Sequence, residues 1–157
     1  MKLLLFNLFL IFGCSSRQYL ADSEVLKFKG TFFKEDNQEY IGVYYLNIPK
    51  GGVLDKKIHT GDYHSEFRVN YPDSSIIYIT NNEVRGSVLN FENRVRQGFD
   101  VYRKEHLLDT ISVSAQQLNG DYWRETILGQ VVVGYINVPS NKIERYDKSI
   151  STIRIKR

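Results

Sequence analysis

The segment between positions 59 and 66 is where metal chemistry would be sought first. His59, Asp62, His64 and Glu66 form the one close group of metal-ligand types in the chain. A zinc site takes three or four such ligands at about 2.0–2.2 Å, backed by partners that fix each ring. The spacing is not that of a metalloprotease helix, because Gly61 interrupts it. If residues 64–66 are extended, His64 and Glu66 share a face, and His59 must then fold back to join them. A polar loop leading into a strand accounts for the same residues. The four are therefore kept only as metal candidates, and no cofactor is expected.

Acid–base and nucleophilic chemistry are marked no more sharply. The 18 acids are spread along the chain, and spacing does not tell whether Asp62 with Glu66, or Asp121 with Glu125, do acid–base work or are surface pairs. No serine stands in a glycine elbow. A triad would have to draw on His59, His64 or His106, the three histidines of the chain. Arg94, Arg96, Arg103 and Lys104, with Phe99 and Tyr102 among them, either bind a polyanion or form a charged sheet edge that blocks edge-to-edge pairing. Tyr44, Tyr122 and Trp123 either line a groove for a sugar or peptide or pack in a core. No catalytic residue is assigned, and the chain is expected not to be an enzyme.

The N-terminus carries a sharper pattern. Met1-Lys2 is a minimal positive start, and Leu3 to Phe12 is apolar apart from Asn7. Gly13, Cys14, Ser15 and Ser16 follow at once. A spanning helix needs about 20 apolar residues, whereas this run is about half that, the length of a signal-peptide core. Ile11-Phe12-Gly13-Cys14 resembles the bacterial lipobox: a branched aliphatic stands three before the cysteine and a small residue just before it. The resemblance covers residues 1–14. It implies that residues 1–13 are a removed signal peptide and that Cys14, as the new N-terminus, carries a diacylglyceryl thioether and usually an N-acyl chain. Two or more acyl chains hold a protein on a membrane without any spanning segment. By the sorting habits of some Gram-negative lipoproteins, Ser15 and the lack of an acid in residues 15–18 imply the outer membrane, facing the periplasm. Cys14 is also the chain's single cysteine, so no internal disulfide can form.

Cleavage before Cys14 removes Lys2 and leaves 20 of the 21 basic residues against 18 acidic ones. That balance argues against nucleic acid as a partner, which calls for a strong basic stripe. The partners expected are the bilayer, through Cys14, and another envelope protein or glycan. A chain of 157 residues, 42% hydrophobic and 25% charged, has the make-up of one globular domain.

The elements that must position any site read mostly as strands. Residues 14–23 are a lipidated polar tether and 24–157 a single domain. Val25–Phe33, Glu39–Ile48, Glu66–Tyr71, Ser75–Thr80, Val84–Phe91, Thr110–Ala115, Tyr122–Ile127 and Val131–Val138 have strand composition or alternation. Pro49 and Pro139 mark strand ends. Asn119-Gly120 is the clearest hairpin turn, and Asn81-Asn82 reads as another. Residues 92–97 fit either one helical turn before Gly98 or a charged edge strand. In the tail, Ile143, Tyr146, Ile150 and Ile153 make one apolar stripe of a helix capped by Ser140. Arg154, Lys156 and Arg157 stand at its C-terminal end; a final strand over Ser149–Ile155 is the alternative.

The fold expected is α+β: a mostly antiparallel twisted sheet of six to nine strands, with a C-terminal amphipathic helix packed on one face. An all-β sandwich or barrel is the alternative. The function expected is that of a membrane-anchored bacterial envelope lipoprotein with a non-catalytic binding or scaffolding domain. The alternative is a membrane-tethered hydrolase acting on envelope material.

Overall fold

The computed structural model describes residues 22–33, 39–55, 58–59, 65–81, 85–99, 110–129 and 131–156. Ten strands and two α-helices are present among them: β1 (Ser23–Phe33), β2 (Glu39–Pro49), β3 (Val53–Leu54), β4 (Ile58–His59), β5 (Ser65–Asn70), β6 (Ile76–Thr80), α1 (Phe91–Arg96), β7 (Ile111–Gln116), β8 (Tyr122–Leu128), β9 (Val131–Val138), α2 (Ile143–Ser151) and β10 (Arg154–Lys156). Among the described residues the architecture is α+β with antiparallel pairing throughout and without a closed barrel. The strands fall into two sheets rather than the single sheet expected. The smaller has the order β1-β2-β10; the larger runs β3-β5-β6-β9-β8-β7, with β4 also paired to β5.

The main core lies between the two sheets and under α2. Tyr44, Leu46 and Ile48 of β2 meet Val69, Ile77, Ile79, Val131, Val133 and Tyr135 of the larger sheet, with Tyr146 and Ile150 of α2 beside them. The rings of Tyr71 and Tyr135 each meet that of Tyr146 edge-on, at 5.6 and 5.8 Å, a favoured aromatic geometry. The larger sheet is covered on its other face as well. There Tyr78, Trp123 and Ile136 pack with Leu89, and Ile127 packs with Val132.

Local chemistry sets the turns. Gly120 takes φ +91 in the β7–β8 hairpin, a conformation glycine adopts without strain. Asn137, at φ 58, sits at the irregularity between β8 and β9. This bulge puts Tyr135 and Val138 into the same core, although strict alternation would part them.

Three expectations need correction. Val84–Phe91 is not a strand among the described residues: Val88–Asn90 forms a 3₁₀ turn that leads straight into α1. Ser140 is not a cap; it lies in a 3₁₀ turn, Ser140–Lys142, ahead of α2. The tail is both helix and strand, because α2 stops at Ser151 and β10 pairs with β2, Arg154 opposite Tyr45. Thr152 ties that stop to the sheet: its hydroxyl accepts from Asn47 N at 2.9 Å and donates to Ser149 O at 2.7 Å. No helix among the described residues is long and apolar enough to cross a membrane.

Candidate functional site

One cross-strand row of the larger sheet holds the buried Tyr78 phenol and the buried Glu125 carboxylate. Arg68, Tyr78, Gly134, Glu125 and Val113 stand opposite one another along it. Gly134 is the opening in that row. A Cβ there would lie 2.4 Å from both Tyr78 Oη and the Arg124 carbonyl, so only glycine lets the Tyr78 phenol lie across β9. The phenol thereby reaches β8 and donates to Glu125 Oε1 at 2.7 Å.

The 3₁₀ turn and α1 close over this row with polar groups. Arg94 is buried, and its Nη1 contacts both carboxylate oxygens of Glu125 at 2.8 Å. Its Nη1 also donates to Ser87 O at 3.0 Å, and its Nη2 to Arg85 O. Ser87 N donates to Glu125 Oε1 at 3.0 Å. Asn90 donates to Tyr78 Oη and receives a bond from Asn93. Gly86, at φ +60, leaves room where a Cβ would lie 2.6 Å from Glu125 Oε2 and 2.7 Å from Arg94 Nη1. A buried charge pair is tolerated when further hydrogen bonds satisfy it, and Glu125 Oε1 takes three donors here. Burial, with the Glu125 charge beside it, holds the Tyr78 phenol well above the ordinary tyrosine range. The phenol therefore stays a neutral donor.

Glu66 differs. It is fully buried, and Arg68 Nε donates to its Oε1 at 2.6 Å. Its Oε2 has no hydrogen-bond partner among the described residues. Burial raises its pKa above the usual carboxylate value, against the pull of the Arg68 bond. Glu66 and Glu125 are thus not the surface acids their alternating strands imply.

A groove of about 580 Å³ opens on the sheet's other side, between β8 and α2. Thr126, Leu128, Ile150 and Ile153 line it, with Arg124 and Asp147 across from each other. Arg124 Nη1 meets Asp147 Oδ1 at 3.0 Å, and Tyr135 Oη donates to the same oxygen at 2.9 Å. Arg124 Nε donates to Ser112 Oγ at 2.9 Å, which is also 2.9 Å from Thr126 Oγ1. The groove therefore offers ordered charges and hydroxyls beside an apolar wall.

Of the residues singled out from sequence, Cys14, Asp62, His64, Arg103, Lys104 and His106 lie outside the described residues. The backbone of His59 is in β4, opposite Ser65. Among the described residues, no three histidine, cysteine or acidic side chains form a group that could hold a metal ion. Arg94 is not at a sheet edge; it is the buried cation of the network. Tyr44 of β2 and Trp123 of β8 lie in cores on opposite sides of the larger sheet and share no groove, and Tyr122 packs against the core that holds Tyr44. Among known proteins, no family model, no curated protein and no solved structure matches this chain.

Proposed function

We propose that this chain is a lipoprotein of the bacterial envelope, acylated on Cys14, whose β-rich domain binds or scaffolds at the membrane surface without catalysing a reaction. The observation that carries the proposal is Ile11-Phe12-Gly13-Cys14 at the end of a short apolar run, holding the chain's single cysteine. Its expected place is the outer membrane, facing the periplasm, and its expected partners there are another envelope protein or a glycan.

Two features support a binding role. The Glu125–Arg94–Tyr78 network bonds to itself and to the Arg85–Asn90 segment, which suits holding α1 in place better than meeting a substrate. The groove beside α2 presents Arg124, Asp147 and the Thr126 hydroxyl next to Leu128 and Ile153, a mixture that fits a polar ligand with an apolar side.

Intact-mass spectrometry of protein from a membrane fraction tests the anchor. The expected mass is that of residues 14–157 plus acyl chains, and Cys14→Ala should abolish both the added mass and membrane retention. An unmodified full-length mass, or membrane retention unchanged in Cys14→Ala, would overturn the proposal.

A further inference from the structure

The smaller sheet has a cationic outer face. Tyr44, Leu46 and Ile48 of β2 point into the core, so by alternation Val43, Tyr45 and Asn47 point the other way. Register then fixes their neighbours. Lys27 and Arg154 flank Tyr45, Lys29 and Lys156 flank Val43, and Val25 stands opposite Asn47. All four cations are exposed. Paired strands lie about 4.8 Å apart, and same-face residues about 6.6 Å apart along a strand, so the four mark the corners of a rectangle of roughly 10 by 7 Å. Tyr45 and Val43 lie between them. Lys27 Nζ sits over the Tyr45 ring, 5.9 Å from its centre, a cation–π contact. None of the four is in an ion pair with a described residue. By register the first acid on this face is Glu39, opposite Phe33 and four residues along β2 from Val43. After loss of Lys2 the chain has 20 basic and 18 acidic residues, so the excess belongs to this face and not to the surface at large.

We infer that this face lies against the anionic headgroups of the membrane that carries the Cys14 acyl chains. The inference rests on the lipid-anchor proposal above. Three observations favour that occupant. The first is charge complementarity: four cations without an acid among them make a local positive potential that anionic headgroups meet. The second is shape and composition. A three-stranded face encloses no small anion, but it can lie flat on a plane of charges. Tyr45, Val43 and the exposed Val25 add the aromatic and apolar contacts suited to the headgroup level. The third is position. The chain enters the domain through β1, the strand that carries Lys27 and Lys29. Asp22 O accepts from Lys50 N and Arg145 Nη2, which pins the entry to this sheet. Cys14 stands nine residues before Ser23, a reach of up to about 30 Å. From Ser23 to Lys29 along β1 is only about 20 Å, so the tether lets the whole face settle on the membrane that holds it.

The test reads which side of the molecule meets the membrane. Val25→Cys, at the rim of the face, and Val88→Cys, beside α1 on the far side of the larger sheet, are made separately in the acylated protein. These sites are 61% and 55% exposed. Cys14 is then a thioether, so each introduced thiol is the single free one and takes one environment-sensitive fluorophore. The proteins are reconstituted into vesicles of phosphatidylcholine alone or with phosphatidylglycerol, and quenching by acrylamide is measured. The expected result is that phosphatidylglycerol shields the label at position 25 and leaves that at position 88 unchanged. Salt should reverse the shielding, since the screening length falls from about 10 Å at 0.1 M to about 3 Å at 1 M. Lys27→Gln with Arg154→Gln should weaken docking by about fivefold per cation, roughly 25-fold together. Equal quenching on both kinds of vesicle would overturn the inference. So would shielding that resists both salt and the double substitution, or shielding on phosphatidylcholine alone, which signals a second copy on the face. Shielding by dextran sulfate but not by phosphatidylglycerol would also overturn it and assign the face to an anionic glycan. The intact mass of the same preparation reports Cys14 separately. An acylated protein without shielding refutes the face alone, and an unacylated one refutes the anchor and this inference together.

Discussion

Glu125 shows how little a single residue's type says about its place. In β8 it alternates with residues on the groove side, and on an ordinary two-faced strand such an acid would meet water. The larger sheet, however, is covered on both faces, and nothing in the local pattern records the second cover. Arg94 and Tyr78 are distant in sequence, 31 and 47 residues away, so their convergence was not legible. The one local hint was Gly134, a glycine inside the otherwise β-branched and aromatic run of β9, which is a sign of close approach. Glu125→Ala should cost about 3–5 kcal/mol in urea unfolding, because it leaves the Arg94 guanidinium buried without its carboxylate. Joint replacement by Arg94→Met and Glu125→Leu should recover most of that loss. A single variant within about 1 kcal/mol of the parent would mean that the pair is not closed in solution.

At the scale of elements, periodicity succeeded where it coincided with burial. Strands β2, β6, β7, β8 and β9 fall within about a residue or two of their expected bounds, because their β-branched and aromatic residues are the ones packed inside. The same logic failed for α1. Val84–Phe91 reads as a strand, yet Val88 and Phe91 face outward from a 3₁₀ turn and α1, and the polar Asn90 and Arg94 take the inner positions. The stripe on α2 was legible for the opposite reason: Tyr146 and Ile150 are buried against β2 and β9. Ile150→Asp should therefore destabilise by roughly 3 kcal/mol or more, as expected for an unpaired charge placed in a core. An unchanged thermal melt would show that α2 is not docked.

For the whole molecule, the sequence spoke for the α+β class but not for the division into two sheets, since no strand's composition names its neighbour. The inter-sheet core that results has an alkaline limit. Burial pushes the Tyr146 phenol up to about 12, and burial with a bond to Asp147 raises that of Tyr135 further. Both stabilise the fold fully below the ordinary tyrosine pKa of about 10. As pH climbs above that value, the unfolded chain gains by ionising while the folded one does not, so stability falls. Absorbance at 295 nm should show these phenols, with Tyr78, ionising only as circular dichroism is lost; ionisation ahead of unfolding would contradict their burial. The smaller sheet carries a consequence for biosynthesis. Strand β2 is flanked by β1 (Ser23–Phe33) and by β10 (Arg154–Lys156), and Asn47 bonds Thr152 across 105 positions. Such distant pairing is slow to form, and here it has to wait until Arg154–Lys156 have been made. Until then one edge of β2 stays open, a template on which nascent chains can pair with each other. The interval between the emergence of β2 and the arrival of β10 is thus when this protein most needs a chaperone.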